Sequence, residues 1–410
     1  MVANWKTVPI SELYEGIFDG PHATPKPSSE GPVFLGIGNV TDDGHLDLSD
    51  IRHIAEEDFA KWTRRVEPRP GDIVFTYEAT LNRYAIIPQG FRGCLGRRMA
   101  LIRANPQKVD TRFLFYYFFS PAWREVIKGN MMTGATVDRI PLITFPNFQV
   151  RVPPLPVQKR IAGILSAYDE LIENSQRRIK ILEAMARALY REWFVHFHVP
   201  AQVLTKAGLP PIQLTNSPLG PIPRGWEVGR LEDVLVLQRG FDLPKAERVD
   251  GNVPIFAATG VTGFHNEAKV KAPGIVTGRS GTIGDVIYVQ EDFWPLNTSL
   301  WVKEFPKSEP LYAYYLLASL DLGQFNSGAA VPTLNRNDIH GLGALIPPHS
   351  LQRRFQQVAG VMLRQARTHD LQIQNLRQTR DLLLPRLLSG QLTEFSGLDE
   401  LGPSGEMPHA

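Results

Sequence analysis

The stretch Gln158–Phe194, QKRIAGILSAYDELIENSQRRIKILEAMARALYREWF, steps by fours and threes through Ile161, Leu165, Tyr168, Ile172, Ser175, Ile179, Leu182, Ala186, Leu189 and Trp193. A heptad seam of this kind belongs to a helix that buries one narrow stripe against another helix. Its 33 residues from Ile161 to Trp193 predict a rod of about 50 Å. A second seam follows 194 residues later, through Phe355, Ala359, Met362, Ala366, His369, Ile373, Leu376, Arg380, Leu383 and Leu387. The residues leading in repeat at the same spacing: Pro153-Pro154 with Pro347-Pro348, and Gln158-Lys159-Arg160 with Gln352-Arg353-Arg354. The chain is therefore two copies of one plan, each a globular segment followed by a long helix. Copies that pair through their seams relate by an approximate two-fold axis, so the pairing is expected to be antiparallel and the globular segments to sit at opposite ends, as in a caliper. Ser175 and His369 interrupt the seams at equivalent places, either as tolerated polar residues or as register devices.

A chain of 410 residues can hold two or more domains, each with its own core. Its 43% hydrophobic and 21% charged content is ordinary for a soluble globular protein. A net charge of +2 gives no whole-chain footprint for nucleic acid, so any basic surface must be local. The single cysteine, Cys94, excludes an internal disulfide and a cysteine-cluster metal site. No apolar run approaches a membrane span and no signal-peptide pattern opens the sequence, so the expected location is cytoplasmic.

Runs rich in β-formers predict strands at Val33–Ile37, Asp72–Tyr77, Tyr84–Ile87 and Met99–Arg103, with a short helix over Arg112–Phe119. The second segment echoes the first: Pro273-Gly274 matches Pro70-Gly71, the run from Leu311 matches that from Phe113, and Gly328-Ala329 matches Gly134-Ala135. Between these anchors the two differ almost completely. The prolines between Pro200 and Pro223 predict a semi-rigid linker. The second helix is expected to start near Ser350, to kink or end at Pro385 and to stop at Gly390.

Catalytic sets are missing. Phe34-Leu-Gly-Ile-Gly38 resembles the F-x-G-x-G element of amino-methyltransferases, but no matching (D/N/S)-P-P-(Y/F) element accompanies it. Gly278, Gly281 and Gly284 lack dinucleotide spacing and read as a tight β-turn. No Walker A loop is present, and His196 and His198 have no third metal ligand nearby in sequence. The loops, in contrast, combine groups suited to phosphate and base edges. In the first segment these are His22, Thr24, Lys26, Tyr77, Glu78, Thr80, Arg97 and Arg98. In the second they are Arg239, Phe241, Lys245, Arg279, Ser280, Thr282, Asn297 and Thr298. Two readers on a fixed frame suit a bipartite DNA site.

Four stretches resemble the specificity (S) subunits of type I restriction-modification systems. The run from Leu376 to Leu392, LRQTRDLLLPRLLSGQL, is similar to that family's terminal helix signature. Leu189–Phe197 resembles the end of its central conserved region, and Leu219–Val228 the approach to its second target-recognition domain. The Pro-Pro…Gln lead-ins resemble its two helix starts. One departure is that Trp5 lacks a proline-rich lead like that before Trp226; Leu401-Gly-Pro in the tail is a weak echo of Leu219-Gly-Pro.

The resemblance implies an α+β fold: two globular target-recognition domains joined by two long helices in an antiparallel coiled coil, with a pseudo-two-fold internal repeat. The expected divisions are 1–152 and 226–346 for the domains, 153–198 and 347–392 for the helices, 199–225 for the linker and 393–410 for a tail. The implied protein is not an enzyme. It binds double-stranded DNA, each domain reading one half of the target, and docks two modification (M) subunits; restriction (R) subunits join the complex. S-adenosylmethionine belongs to M, ATP and Mg to R, and this subunit carries no cofactor. Helix residues Gln158, Arg160, Trp193, Gln352, Arg354, Arg364 and Arg367 are the expected docking positions, and residues 351–388 carry seven arginines against two aspartates. The rival reading is a coiled-coil scaffold without DNA readout.

Overall fold

Both seams form helices in the computed structural model, which describes residues 5–134 and 137–392. The tail 393–410, with its Leu401-Gly-Pro echo, and Ala135 and Thr136 lie outside the described residues. The first long helix runs from Leu155 to Tyr190 with Pro156 in its first turn, and ends in a π-turn over Arg191–Val195. The second runs from His349 to Ser389 and keeps Pro385 inside it. Pro385 forfeits a backbone hydrogen bond, but Leu383, Leu384, Leu387 and Leu388 bind the last turns to a core, so the helix continues. It stops at Gly390, which takes the left-handed φ of +80° that ends helices.

The chain divides into two units, Met1–Glu173 with Gln374–Ala410, and Asn174–Ile373. Each long helix is shared between them, which differs from the expected partition into domains and separate helices. In the first unit Ile161, Ala162 and Leu165 share a core with Leu387 and Leu388, and Asp169 meets Arg380 at 2.7 Å. In the second, Leu363, Ala366 and Asp370 line one pocket with Ile179, Glu183 and Arg187. There Tyr190, Trp193 and Phe194 pack on Phe355, with ring centroids 6.2, 6.1 and 5.2 Å away. Numbers fall along one helix as they rise along the other, so the helices are antiparallel. All ten seam residues of the first helix are buried or half-buried, Ser175 included. His369 is half-buried, with Nδ1 2.9 Å from Gln372 Oε1.

The two units share one topology. In the first, an antiparallel sheet runs in spatial order Tyr14–Asp19, Met99–Ala104, Ile73–Thr76, Tyr84–Ile86. The second repeats it with Val236–Arg239, Ser299–Glu304, Gly274–Gly278 and Val286–Val289. Each has a further three-stranded sheet with one parallel pair, Ser28–Leu35 beside Gly93–Leu95 and Val253–Ala257 beside Trp294–Pro295. Each is closed by a two-stranded ribbon, Lys6–Pro9 with Gln149–Val152, and Glu227–Arg230 with Gly343–Ile346. The ribbons place chain entrance and exit side by side at the foot of the unit. In the first core Phe75, Tyr84, Phe113, Phe118, Trp123 and Phe145 are fully buried, and Trp123 Nε1 donates to the Tyr84 hydroxyl at 2.8 Å. Cys94 is fully buried, and burial pushes its thiol up to about 12, so it has no thiolate chemistry at neutral pH.

Two features depart from the sequence reading. The proline-rich segment is not a bare linker: it holds a helix at Ala201–Ala207 and a hairpin of Leu214–Ser217 with Gly220–Pro223. Pro200 precedes the helix rather than interrupting it, and Gly208 ends it at φ +70°. A helix at Pro121–Asn130 also follows the expected one, which spans Thr111–Tyr117; Ser120 caps it by accepting from the Trp123 N–H.

Gln158 and Gln352 tie the helices to the units. Gln158 Oε1 accepts from the Asp110 N–H at 2.9 Å while Nε2 donates to the Pro153 carbonyl at 2.8 Å. Gln352 does the same to Glu309 at 2.9 Å and Pro347 at 2.8 Å. Gln158→Leu keeps the volume but leaves a donor and an acceptor unpaired, so denaturant unfolding should show a loss of about 2–4 kcal/mol. A loss below about 0.5 kcal/mol would show that water replaces the amide.

Candidate nucleic-acid interface

The loops at one end of each four-stranded sheet share several backbone bonds. The Tyr77 N–H donates to the Arg98 carbonyl at 3.2 Å; the Arg279 N–H donates to the Thr298 carbonyl at 2.9 Å. Ile140 N–H reaches Tyr77 O at 2.7 Å and Leu334 N–H reaches Arg279 O at 2.8 Å. Glu78 bridges Arg139 as Ser280 bridges Thr333. Two left-handed positions correspond too, Ala79 and Asn82 at φ +69° and +60° with Gly281 and Gly284 at φ +96° and +113°, whereas Arg98 is left-handed at φ +68° and its counterpart Thr298 is not. Gly20 and Gly240 pass so close to a neighbouring strand that a Cβ would lie 2.2 Å from the carbonyl oxygens of Gly96 and Leu296. On this frame Tyr77 stands where the second unit has Arg279, Glu78 where it has Ser280, Arg97 where it has Asn297, and Arg98 where it has Thr298.

In the first unit Arg98 Nε lies 3.0 Å from Glu78 Oε1, and Asp19 holds Arg65 at 2.5 Å and His22 at 3.0 Å. Thr24, Arg97 and Arg98 line a cavity of about 440 Å³ with Arg52, Asn39 and the Gly36–Gly38 turn. The F-x-G-x-G element thus floors an arginine-rimmed pocket. Tyr77 is not presented as expected: it is 6% exposed, and burial, aided by Asp19 and Glu78, pushes its hydroxyl up to about 12. Thr80 is half-buried, and Lys26 is exposed away from the pocket lining. Sequence reading missed Arg52 and Arg65, which no pattern distinguishes from surface arginines.

In the second unit Asn297 is the hub. Its side-chain amide donates to Asp242, its backbone carbonyl accepts from Arg279 Nη1 at 2.8 Å, and Arg239 lies 3.8 Å from the same Asp242. Ser280 and Thr298 sit beside them, and Thr282 is exposed at the turn. Phe241 packs on Trp301 and Trp294 at 6.0 and 6.4 Å, so it supports the loop instead of facing outward. Lys245 lies in a separate exposed turn, Lys245–Glu247.

His340 fixes the strand that carries Arg239. Its Nε2 accepts from the Leu237 N–H at 3.0 Å, and Arg336 donates to the Leu237 carbonyl at 3.2 Å. Burial lowers the imidazole below its ordinary value; Glu232 opposes this and Arg336 adds to it. Imidazolium cannot accept from Leu237, so the unfolded chain takes up its proton first as pH falls. The contact contributes fully above the ordinary histidine pKa of about 6.5 and its stability is lost as pH falls through that range. Between about pH 8 and 5 the melting temperature should drop more for the native chain than for His340→Gln, which keeps an acceptor. Equal drops would exclude His340.

The helix positions expected to dock partners divide. Gln158, Gln352 and Trp193 are buried, 2%, 0% and 3% exposed, so they lock the helices internally and face no partner. Arg354 donates to the Lys206 carbonyl at 2.9 Å, and Arg367 pairs with Glu291 at 2.7 Å and Asp370 at 2.6 Å. Arg160 and Arg364 are exposed.

Comparison with known proteins agrees with this architecture. The model of the type I restriction modification DNA specificity domain matches residues 4–184 and 223–359. The chain is similar to the MjaIX specificity subunit of Methanocaldococcus jannaschii, 26% identical over 83% of this chain and 82% of that one. It is also similar to the HindI specificity subunit of Haemophilus influenzae, 22% identical over 88% and 94%. In fold it resembles the crystal structure of an S subunit from M. genitalium, with a TM-score of 0.62 and 17% identity over 94% and 96% of the two chains. Two matched segments on one repeated frame place the chain in a single family: it belongs to the type I restriction-modification specificity subunits.

Proposed function

We propose that each unit of this specificity subunit reads one half of a bipartite DNA target, and that the long helices set the gap between the halves. The observation that carries the reading is the exchange of chemistry at corresponding positions of a repeated fold: Glu78 and Arg98 in one unit, Ser280 and Thr298 in the other. Phosphate contacts would position each unit and base contacts would specify. Methylation of adenine N6 is the work of M subunits carrying S-adenosylmethionine, which flip the base out of the stack; DNA cleavage with ATP and Mg is the work of R subunits. The test is to express the chain with its M partner and map methylated adenines across a genome. One asymmetric, two-part motif with a fixed gap is expected. A contiguous motif, or complexes whose DNA affinity does not fall with salt, would favour the scaffold reading.

M docking is supported by apolar side chains left exposed on the helices. Val358 and Val361 are 43% and 46% exposed in the second unit. Three residues apart on one helix, they lie on the same face and offer a partner an apolar contact. Val358→Glu with Val361→Glu should abolish co-elution with M while the melting temperature moves by less than about 3 °C. Co-elution at native levels would place M elsewhere.

A further inference from the structure

We propose that Arg98 and Glu78 together read a single G·C base pair in the first half-site, Arg98 bonding the guanine and Glu78 both positioning Arg98 and accepting from the cytosine. This rests on the reading that each unit recognises DNA.

Four observations carry it. First, Glu78 Oε1 lies 3.0 Å from Arg98 Nε, and the guanidinium fork carries four further N–H donors. Guanine presents two acceptors, O6 and N7, to such a fork in the major groove, and its cytosine partner presents a donor that suits a carboxylate. Second, the carboxylate argues against a phosphate ligand. Glu78 is only 23% exposed beside Arg98, and it would repel a phosphate bound there. Third, the backbone at Arg98 is particular to the first unit. Arg98 holds φ +68°, a conformation that side chains rarely adopt and that its counterpart Thr298 does not share. Strained residues of this kind cluster where a side chain must be aimed. The buried Arg98 Nε–H, although within ion-pair distance of Glu78, makes no well-aligned hydrogen bond, so the pair has room to tighten around a base. Fourth, the second unit changes both members at the corresponding positions. Ser280 replaces the acid and Thr298 replaces the cation. The corresponding position of the second half-site therefore lacks this G·C requirement.

The experiment uses the complex of the full chain with its M partner. Methylation motifs are mapped, and competition is measured with duplexes altered one base pair at a time. Arg98→Ala and Arg98→Gly should relax one G·C position of the first half-site by about ten- to a hundredfold, with all other positions kept. Glycine tolerates the positive φ, so it separates loss of the fork from loss of fold. Glu78→Gln should weaken the same position by less, and Glu78→Asp should partly restore it, a base-specific pattern that a structural role would not produce. The double change Glu78→Ser with Arg98→Gly should remove the preference entirely. An unchanged motif, or affinity that falls equally for every sequence, would overturn the assignment while leaving the two-unit reading intact. If the native complex itself has no bipartite motif, the two-unit reading fails first.

Discussion

Exchanging residues 226–346 for the equivalent segment of another specificity subunit should rewrite one half of the DNA target and leave the other half unchanged. The graft is physically reasonable because the ribbon brings its ends together: Glu227 faces Ile346 and Arg230 faces Gly343. Both junctions therefore fall at the foot of the unit, beside the helix lead-ins, and no readout loop is cut. The graft must also carry its own seat on the helices. Tyr312 and Tyr315 lie 4.9 Å from Phe194 and 5.4 Å from Tyr190, and the Tyr312 hydroxyl donates to the Leu345 carbonyl. A donor segment without aromatic residues there would leave a cavity, at a cost of about 3–5 kcal/mol. With the seat kept, three altered base pairs should change target preference by about a thousandfold or more. Methylation mapping reads the result directly. A change in both halves, or in neither, would mean that the units do not read independently.

The helices were the most legible part of the sequence, because a 3.5-residue period survives any choice of outward-facing residue. The sheet strands were legible where every position is buried, as in Ile73–Thr76. The helix at Pro121–Asn130 was not read from the sequence, although its start is marked locally by serine as the cap and proline in the first turn. Gln158 and Gln352 were expected to dock partners, since nothing local reveals that both ends of each amide find partners inside the chain. The loop residues could be named individually, but their partners could not. Arg98 meets Glu78 only because the chain inserts the strand Met99–Ala104 between two earlier ones. The repeat is also hidden at the site. Thr333 stands 194 residues after Arg139, but Thr298 stands 200 after Arg98 and Arg279 stands 202 after Tyr77. Insertions between anchors change the offset, so no single spacing aligns the two sets of loops.

Inserting one heptad into each long helix, after Glu173 in the first and after Ile373 in the second, should lengthen the preferred gap between half-sites by roughly three base pairs. Both helices pass from one unit into the other at these points, so matched insertions extend the pair without changing either unit. Seven residues add about 10 Å and return the seam to the same face, so packing is preserved. DNA behaves differently. Three base pairs also rotate the duplex by roughly a third of a turn, at about 10 base pairs per turn. The two units would then meet grooves that have turned relative to each other, and twisting the spacer has an elastic cost. Methylation should therefore weaken with one heptad even at the best gap. Three heptads add about 31 Å, or roughly nine base pairs, which nearly completes a turn and should recover much of the lost methylation. A library of targets with graded spacers, sorted by methylation, would show both effects. A gap unmoved by one or three heptads would mean that something other than helix length measures the DNA. A gap that lengthens without the loss and recovery would mean that the units swivel freely on their helices.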